Sequence, residues 1–374
     1  MTGIPSVSRV PSGGVVEEHR FSCPVCGSDM HFAPGTMELA CGHCGHHEAI
    51  APLRDPDATR EIDFESARRG DVPVSQIEET RTASCPNCGA QVEFARGTHA
   101  TRCPYCDTAV VADTGTHRHI KPRALLPFEI DESRAHEALS AWLGSLWFAP
   151  NGLKAYARKG RRMNGIYVPF WTFDAQTETD YRGQRGDTYY VTRTVMRDGK
   201  QVRVQEPRIR WRRVRGRVAR FFDDVLVLGS KSLPKAHTDA IGPWDLPALL
   251  PYRPEYVAGF MAEGYQIELD DAYTEARAVM EQVIQSDVRR DIGGDQQRIE
   301  ALDTRVSGVT FKHVLLPVWT AAYRYRGQSY AFVVNARSGK VQGARPYSKW
   351  KITLAVIAAL IAAAILGYFG YLNQ

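Results

Sequence analysis

Residues 23–44 read CPVCGSDMHFAPGTMELACGHC, and residues 85–106 read CPNCGAQVEFARGTHATRCPYC. Each stretch holds two Cys-x-x-Cys pairs separated by fourteen residues, and together they contain all eight cysteines of the chain. That spacing suits a four-thiolate zinc site, in which two knuckles close a tetrahedron around one ion. Pro24, Pro86 and Pro104 stiffen the turns between paired cysteines, and Gly27, Gly45 and Gly89 follow the second cysteine, where the backbone must turn tightly. Aligning Cys23 with Cys85 superposes Phe32 on Phe94, Ala33 on Ala95 and Gly35-Thr36 on Gly97-Thr98. The hairpin between the knuckles is therefore duplicated too. Cys23, Cys26, Cys41 and Cys44 are expected to hold one Zn2+, and Cys85, Cys88, Cys103 and Cys106 a second. Disulfides would need an oxidising compartment, and residues 1–10 carry no long apolar run of a secretory signal. A ribbon this small has almost no core, so the metal supplies most of its folding free energy, on the order of ten kcal/mol per site. Four thiolates leave no open position for water or substrate, which makes the zinc structural. His43, His46, His47 and His99 read as solvated neighbours of the knuckles.

The chain closes on KWKITLAVIAALIAAAILGYFGYLNQ. Residues 352–372 are 21 uncharged residues, enough to span roughly 31 Å as a helix. Trp350 lies at one end and Tyr368 and Tyr371 near the other, as an aromatic belt would place them, with Lys349 and Lys351 on the N-terminal side. The positive-inside rule then puts everything before the helix in the cytoplasm, as a tail-anchored, single-pass membrane protein. A reducing cytosol agrees with thiolates kept for zinc. The net charge of +5 is mild and by itself demands no nucleic-acid partner.

Between ribbons and tail the chain repeats itself. Pro-x-Trp-Thr occurs at 169–172 and 317–320, each followed by Tyr-Arg-Gly-Gln, at 181–184 and 325–328. Two copies of a strand–helix–helix–strand–strand unit are expected, packed on each other. In the first, an amphipathic helix at 132–148 carries Leu139, Trp142, Leu143, Leu146 and Trp147 as its stripe, followed by a basic helix at 153–162. In the second, a helix at 271–289 leads through DIGGD into a further helical stretch. The expected fold class is α+β. It comprises a disordered N-terminus (1–20), ribbon 1 (21–50), a solvated linker with a short helix at 61–69 (51–80) and ribbon 2 (81–115). The duplicated domain follows (119–348, repeats at 119–230 and 250–348), then the C-terminal transmembrane helix (352–372).

The duplicated ribbons, with GIYVPFWTFDA, YRGQRGDTYY, DDVLVLGSKSL, LLPYRPEYVAGFMAEGY, DIGGDQQRI and VNARSGKVQGARPYS, carry a resemblance over nearly the whole chain. It resembles a family of bacterial zinc-ribbon membrane proteins, many labelled primosomal protein N-prime (replication factor Y), superfamily II helicase. The resemblance implies the architecture just described, and the label implies a role in replication. A helicase motor needs a Gly-rich loop ending in Gly-Lys-Ser/Thr and an acidic pair for magnesium. The nearest stretch is DDVLVLGSKS, where Ser230 interrupts the Gly-Lys pair and Leu233-Pro234 stands where a phosphate-binding helix should continue. No Gly-x-Ser-x-Gly elbow and no His-Glu-x-x-His pair occurs. His117 and His119 read as a solvated loop, Asp223-Asp224 as acids before a strand, and Asp270-Asp271 as a helix cap.

One charge pattern is chemically suggestive. Residues 193–220 hold ten arginines and one lysine against Asp198 and Glu206. In RIRWRRVRGRVARFF, strand alternation puts Arg208, Arg210 and Arg212 on one face and Ile209 and Trp211 on the other. With Arg213, Arg215 and Arg217 they are the candidate surface for anionic lipid, a protein partner or nucleic acid. The expectation is a non-enzymatic, membrane-anchored scaffold or recruitment module whose ribbons project as interaction modules. The alternative is a DNA- or RNA-binding accessory protein without a motor of its own.

Overall fold

The computed structural model describes residues 21–52, 59–72, 77–85, 91–93, 100–103, 105, 109–111, 116–146, 163–197, 200–325, 328–344 and 348–372. In ribbon 1, β1 (Met30–Phe32) pairs antiparallel with β2 (Glu38–Cys41), and β2 with β3 (His47–Ala49). The next elements are β4 (Ile62–Asp63) and α1 (Phe64–Arg68), capped by the Asp63 carboxylate, which accepts from the Ser66 amide at 2.8 Å. The second ribbon region contributes β5 (Ile77–Ser84), β6 (Gln91–Glu93), β7 (Ala100–Arg102), β8 (Ala109–Val111) and β9 (Thr116–Ile120). The body then runs β10 (Ala124–Leu125), α2 (Glu132–Ser145), β11 (Asn164–Arg197), β12 (Lys200–Leu228), α3 (Lys235–Ala240), β13 (Leu250–Pro251) and α4 (Pro254–Val257). It continues with β14 (Met261–Ala262), α5 (Leu269–Ile292), β15 (Gln296–Tyr325), β16 (Gln328–Asn335) and β17 (Val341–Gly343), and leads to α6 (Lys349–Leu372).

One sheet organises the body, in the order β12-β11-β15-β10-β13, with β14 on β11, β16 on β15, β17 on β16 and β4 on β15. β11 passes through three environments. Residues 166–175 (IYVPFWTFDA) are all buried, because both faces are covered. From Gln176 to Gly183 burial alternates, because only one face is covered. From Tyr189 outward no described residue of β11 is buried. The one-sided cover is α5, which buries Ala272, Ala276, Met280, Ile284, Val288 and Ile292 against a cluster that includes Tyr181, Phe222 and Phe311. Its buried positions recur every four residues, and its 24 residues span roughly 36 Å.

The two units meet about a local two-fold axis. β11 and β15 are antiparallel, and Val168 lies opposite Leu316, its own counterpart when the two Pro-x-Trp-Thr motifs are superposed. Each unit gives its first strand to the other. β10 pairs in parallel with β15 at Val314 and Leu315, and β14 with β11 at Ile166 and Tyr167, the counterpart positions. Side chains cross over in the same way: Trp171 Nε1 donates to Ile267 O and Trp319 Nε1 to Ile130 O, both at 2.9 Å. The backbone repeats the exchange. Gly229 N donates to Pro169 O while its carbonyl accepts from Gln266 and Ile267; Ala336 N donates to Pro317 O while its carbonyl accepts from Glu129 and Ile130. The shared motif thus encodes a buried indole that needs an acceptor from the other copy.

Three expectations are corrected. In the second unit no further helix follows α5: from Gln296 the chain is strand, because Ile299, Leu302, Thr304 and Val306 lie against α5 and β11 rather than on a helix stripe. In the first unit the second helix, at 153–162, lies outside the described residues, as do Trp147 and residues 1–20. The linker is not simply solvated. Ile62 and Asp63 pair with β15, and Phe64 is 1% exposed against Phe173, Tyr273 and Phe311. Ribbon 1 does not project either. Ribbon 1 packs on the body, with Phe32 N donating to Ala258 O and Gly35 N to Phe128 O, both at 2.9 Å.

Candidate metal centre and charged surfaces

In ribbon 1 the two knuckles are copies of each other. Gly27 N donates to Cys23 O and Gly45 N to Cys41 O, and both glycines have a φ of 74°, a conformation that favours glycine. The turn between β1 and β2 also needs its glycine: a Cβ on Gly35 would lie 2.9 Å from Glu129 O. These turns bring the sulfurs of Cys23, Cys26, Cys41 and Cys44 within 4.8 Å of one another. The Cys23–Cys44 and Cys26–Cys41 separations are 3.5 Å. That is too long for a disulfide and close to the roughly 3.8 Å edge of a tetrahedron with metal–sulfur bonds of about 2.3 Å. The cluster can hold a metal ion. The Ser28 backbone amide, followed by its hydroxyl, brings the Cys26 thiol down to about 6. The His46 amide also acts to lower Cys44, but desolvation and the neighbouring thiols outweigh it and push it up to about 12. His47 faces Glu38 at 3.2 Å on the surface.

In ribbon 2, Cys85 and Cys103 are buried in the same cluster as Ala124, Leu126 and Val168. Cys88 and Cys106, the expected partners, lie outside the described residues, as does His99. Tyr105 ties this knuckle to the body: its hydroxyl donates to Glu263 Oε2 at 2.6 Å. Glu263 is 4% exposed, and its other oxygen accepts from Gln266 Nε2 at 2.8 Å and from the Ser232 hydroxyl. The DDVLVLGSKS segment is thus part of a packed contact rather than a phosphate loop. Residues 229–232 bond to Pro169, Gln266 and Glu263, and the helix that follows, α3, has six residues.

A further cluster was not foreseen. Glu61, Asp174 and Asp224 place carboxylate oxygens within 4.8 Å of one another, yet their cation is built in. Lys312 Nζ lies 3.0 Å from Glu61 and 2.9 Å from Asp224. Asp174 sits at a bulge in β11, accepts from the Asp224 amide at 2.7 Å, and faces an Asp224 held at φ 53°. Desolvation pushes Asp174 up to about 7; the Asp224 amide opposes this and the Glu61 carboxylate adds to it. Burial works against ionised Glu61, but hydrogen bonds from Thr310, Asp174 and Lys312 outweigh it and hold that carboxyl below the usual range. Asp223 and Asp224 thus lie within β12 rather than ahead of a strand. Asp270 and Asp271 occupy the first turn of α5, with Glu268 as the N-cap. Sequence distance hides the cluster; the one local signal is a lone acid, Asp174, in an apolar strand.

The arginines divide between two faces. Val214, Val218 and Arg220 face α5, and Arg220 pairs with Asp287 at 2.5 Å. Arg208, Arg210 and Arg212 continue that face past the end of the helix, opposite Tyr189, Asp187 and Arg185. Arg212 reaches Asp187 at 3.1 Å, Arg210 lies over Tyr189 at 5.1 Å, and Arg208 is 3.5 Å from Glu206. Arg213, Arg215 and Arg217 occupy the other face, where Arg217 and Arg305 share Asp180 at 2.7 and 3.1 Å. Arg213 and Arg215 are exposed and have no ion pair among the described residues. His117 and His119 fall in β9 rather than a loop.

α6 is long and apolar enough to cross a membrane: Trp350–Tyr368 has a mean hydropathy of 2.1 and none of it is buried. Among known proteins, no family model and no solved structure matches the chain. It is similar to a Bacillus subtilis (strain 168) protein named Uncharacterized protein YdjG, with 26% identity over 345 residues, 89% of this chain and 91% of that one. The likeness covers most of both chains and brings no activity with it.

Proposed function

We propose that the chain is a membrane-anchored recruitment platform at the cytoplasmic face of a bacterial inner membrane, without catalytic activity. The observation that carries this reading is the pairing of an apolar helix with no buried residue in its span and a body onto which ribbon 1 and Tyr105 of ribbon 2 are packed. In this reading α6 is the anchor, and Lys349 and Lys351 keep the body on the cytoplasmic side. Each ribbon holds one structural Zn2+, through Cys23, Cys26, Cys41 and Cys44 and through Cys85, Cys88, Cys103 and Cys106. The ions stiffen surfaces of the body. The similarity of the quoted motifs to zinc-ribbon membrane proteins labelled as primosomal fits this architecture and supplies no motor.

Comparing membrane fractions from cells with and without the chain tests the reading. One or a few soluble proteins should leave the membrane when the chain is deleted. If no soluble protein redistributes, recruitment is wrong. A nucleic-acid accessory role is the second reading, favoured by exposed Arg213 and Arg215. It requires duplex or single-strand binding that weakens steeply between about 50 and 200 mM salt. Anionic lipid is the third candidate for the same arginines.

A further inference from the structure

We propose that the two-stranded arm formed by residues 187–197 and 200–210 is a docking surface for a soluble protein that presents a row of carboxylates. This rests on the recruitment reading above and names the part of the molecule that recruits. The pairing of β11 with β12 runs out to Arg197 and Lys200, whereas its pairing with β15 stops at Gly186 and α5 stops at Ile292. Beyond that point neither a third strand nor a helix covers the ribbon among the described residues. An isolated two-stranded ribbon is marginal in water, so a partner surface would complete it.

The arm's chemistry selects the partner. Tyr190 and Met196 are 65% and 68% exposed. Residues 185–212 contain seven arginines and one lysine. Tyrosine, methionine and arginine over lysine is the composition of protein interfaces, and the planar guanidinium suits carboxylates taken two-pronged. Arg208, Arg210 and Arg212 repeat on one face about every 7 Å, matching carboxylates on alternate residues of an extended or grooved acidic surface. Two copies meeting along their β12 edges would oppose arginine rows. Asp187 and Glu206 interrupt the row, which suits a protein better than a continuous phosphate backbone. The bilayer is not the nearest candidate either. The chain enters α6 beyond β17, which borders β16 beside the inner end of β11. The arm lies at the other end of that 34-residue strand, on the order of 100 Å away along it.

The test uses the full-length protein in its native membrane, with photo-crosslinking residues at Tyr190 or Met196 and a control at Val25, which is 67% exposed in ribbon 1. Crosslinks from 190 and 196 should go to a protein segment of net negative charge and fall at least tenfold in Arg208→Glu/Arg210→Glu. Arg208→Gln/Arg210→Gln serves as a milder second variant. In parallel, the purified full-length chain should bind a synthetic peptide of alternating Glu and Thr at 150 mM salt, at least tenfold more weakly after charge reversal. Crosslinks to lipid, to nucleic acid or to a second copy overturn the proposal, as does peptide binding that ignores the substitutions. Protein crosslinks from Val25 alone overturn the arm and leave recruitment standing. Absence of protein crosslinks at all three positions overturns both.

Discussion

The inner part of β11 and its outer arm are one strand under two regimes. At residues 166–175 every side chain is buried, and each is fixed by neighbours from both units. At 189–196 none is buried. The difference lies in what the rest of the chain places over the strand, since β-branched and aromatic residues run through both parts. Substitutions in the inner region should therefore act on folding, and those in the arm on association.

Removing a metal ligand should show the largest effect. The full chain should carry two zinc ions, and Cys23→Ser with Cys26→Ser should leave one. The loss of ribbon 1 should cost on the order of ten kcal/mol of metal-linked stability, read by elemental analysis and thermal unfolding. A starting stoichiometry of one would break the view that both ribbons belong to the inner regime. Phe64→Ala comes next, at about 3–5 kcal/mol in denaturant unfolding. Tyr190→Ala in the arm should stay within about 0.5 kcal/mol; a similar cost for both would erase the contrast.

Asp174 gives a smaller effect that depends on pH. Its folded value of about 7 lies above the unfolded value of roughly 3.9. The folded chain therefore holds an extra proton between these values, and the stability from this group is lost as pH rises through about 7. Glu61, Asp180 and Asp287 are held low and stay ionised above pH 6, so they add no slope there. Thiolates held deprotonated in the ribbons give the opposite slope in both proteins, so the difference is the test: between pH 6 and 8 the parent chain should lose on the order of 3 °C of melting temperature relative to Asp174→Asn. The smallest effect is expected from Arg208→Gln, Arg210→Gln and Arg212→Gln together: each should change folding by less than about 0.5 kcal/mol. A cooperative loss of structure would mean that the arm is part of the core.

Much of this was legible in the sequence because local chemistry carried it. Cysteine spacing located the ribbon 1 cluster, Pro-x-Trp-Thr located the counterpart strands, and an uncharged run located α6. What escaped depended on distant partners. Nothing around Phe64 says that a charged linker will bury it. Nothing around Gln296 says that β11 will hold the next residues extended. Glu61, Asp174, Asp224 and Lys312 come from four separate parts of the chain and meet only once the sheet forms.

The crossed strands and indoles of the two units have a consequence for how the chain can be cut. Neither unit completes its own sheet: β10 lies on β15, β14 on β11, and each tryptophan borrows its acceptor from the other side. The body is an isologous dimer written as a single polypeptide. A forerunner with one unit would have had to pair with itself to satisfy the same groups. Two fragments separated between Leu228 and Leu250 should fail alone and reassemble when made together, with the severed connection mattering far less than the exchange.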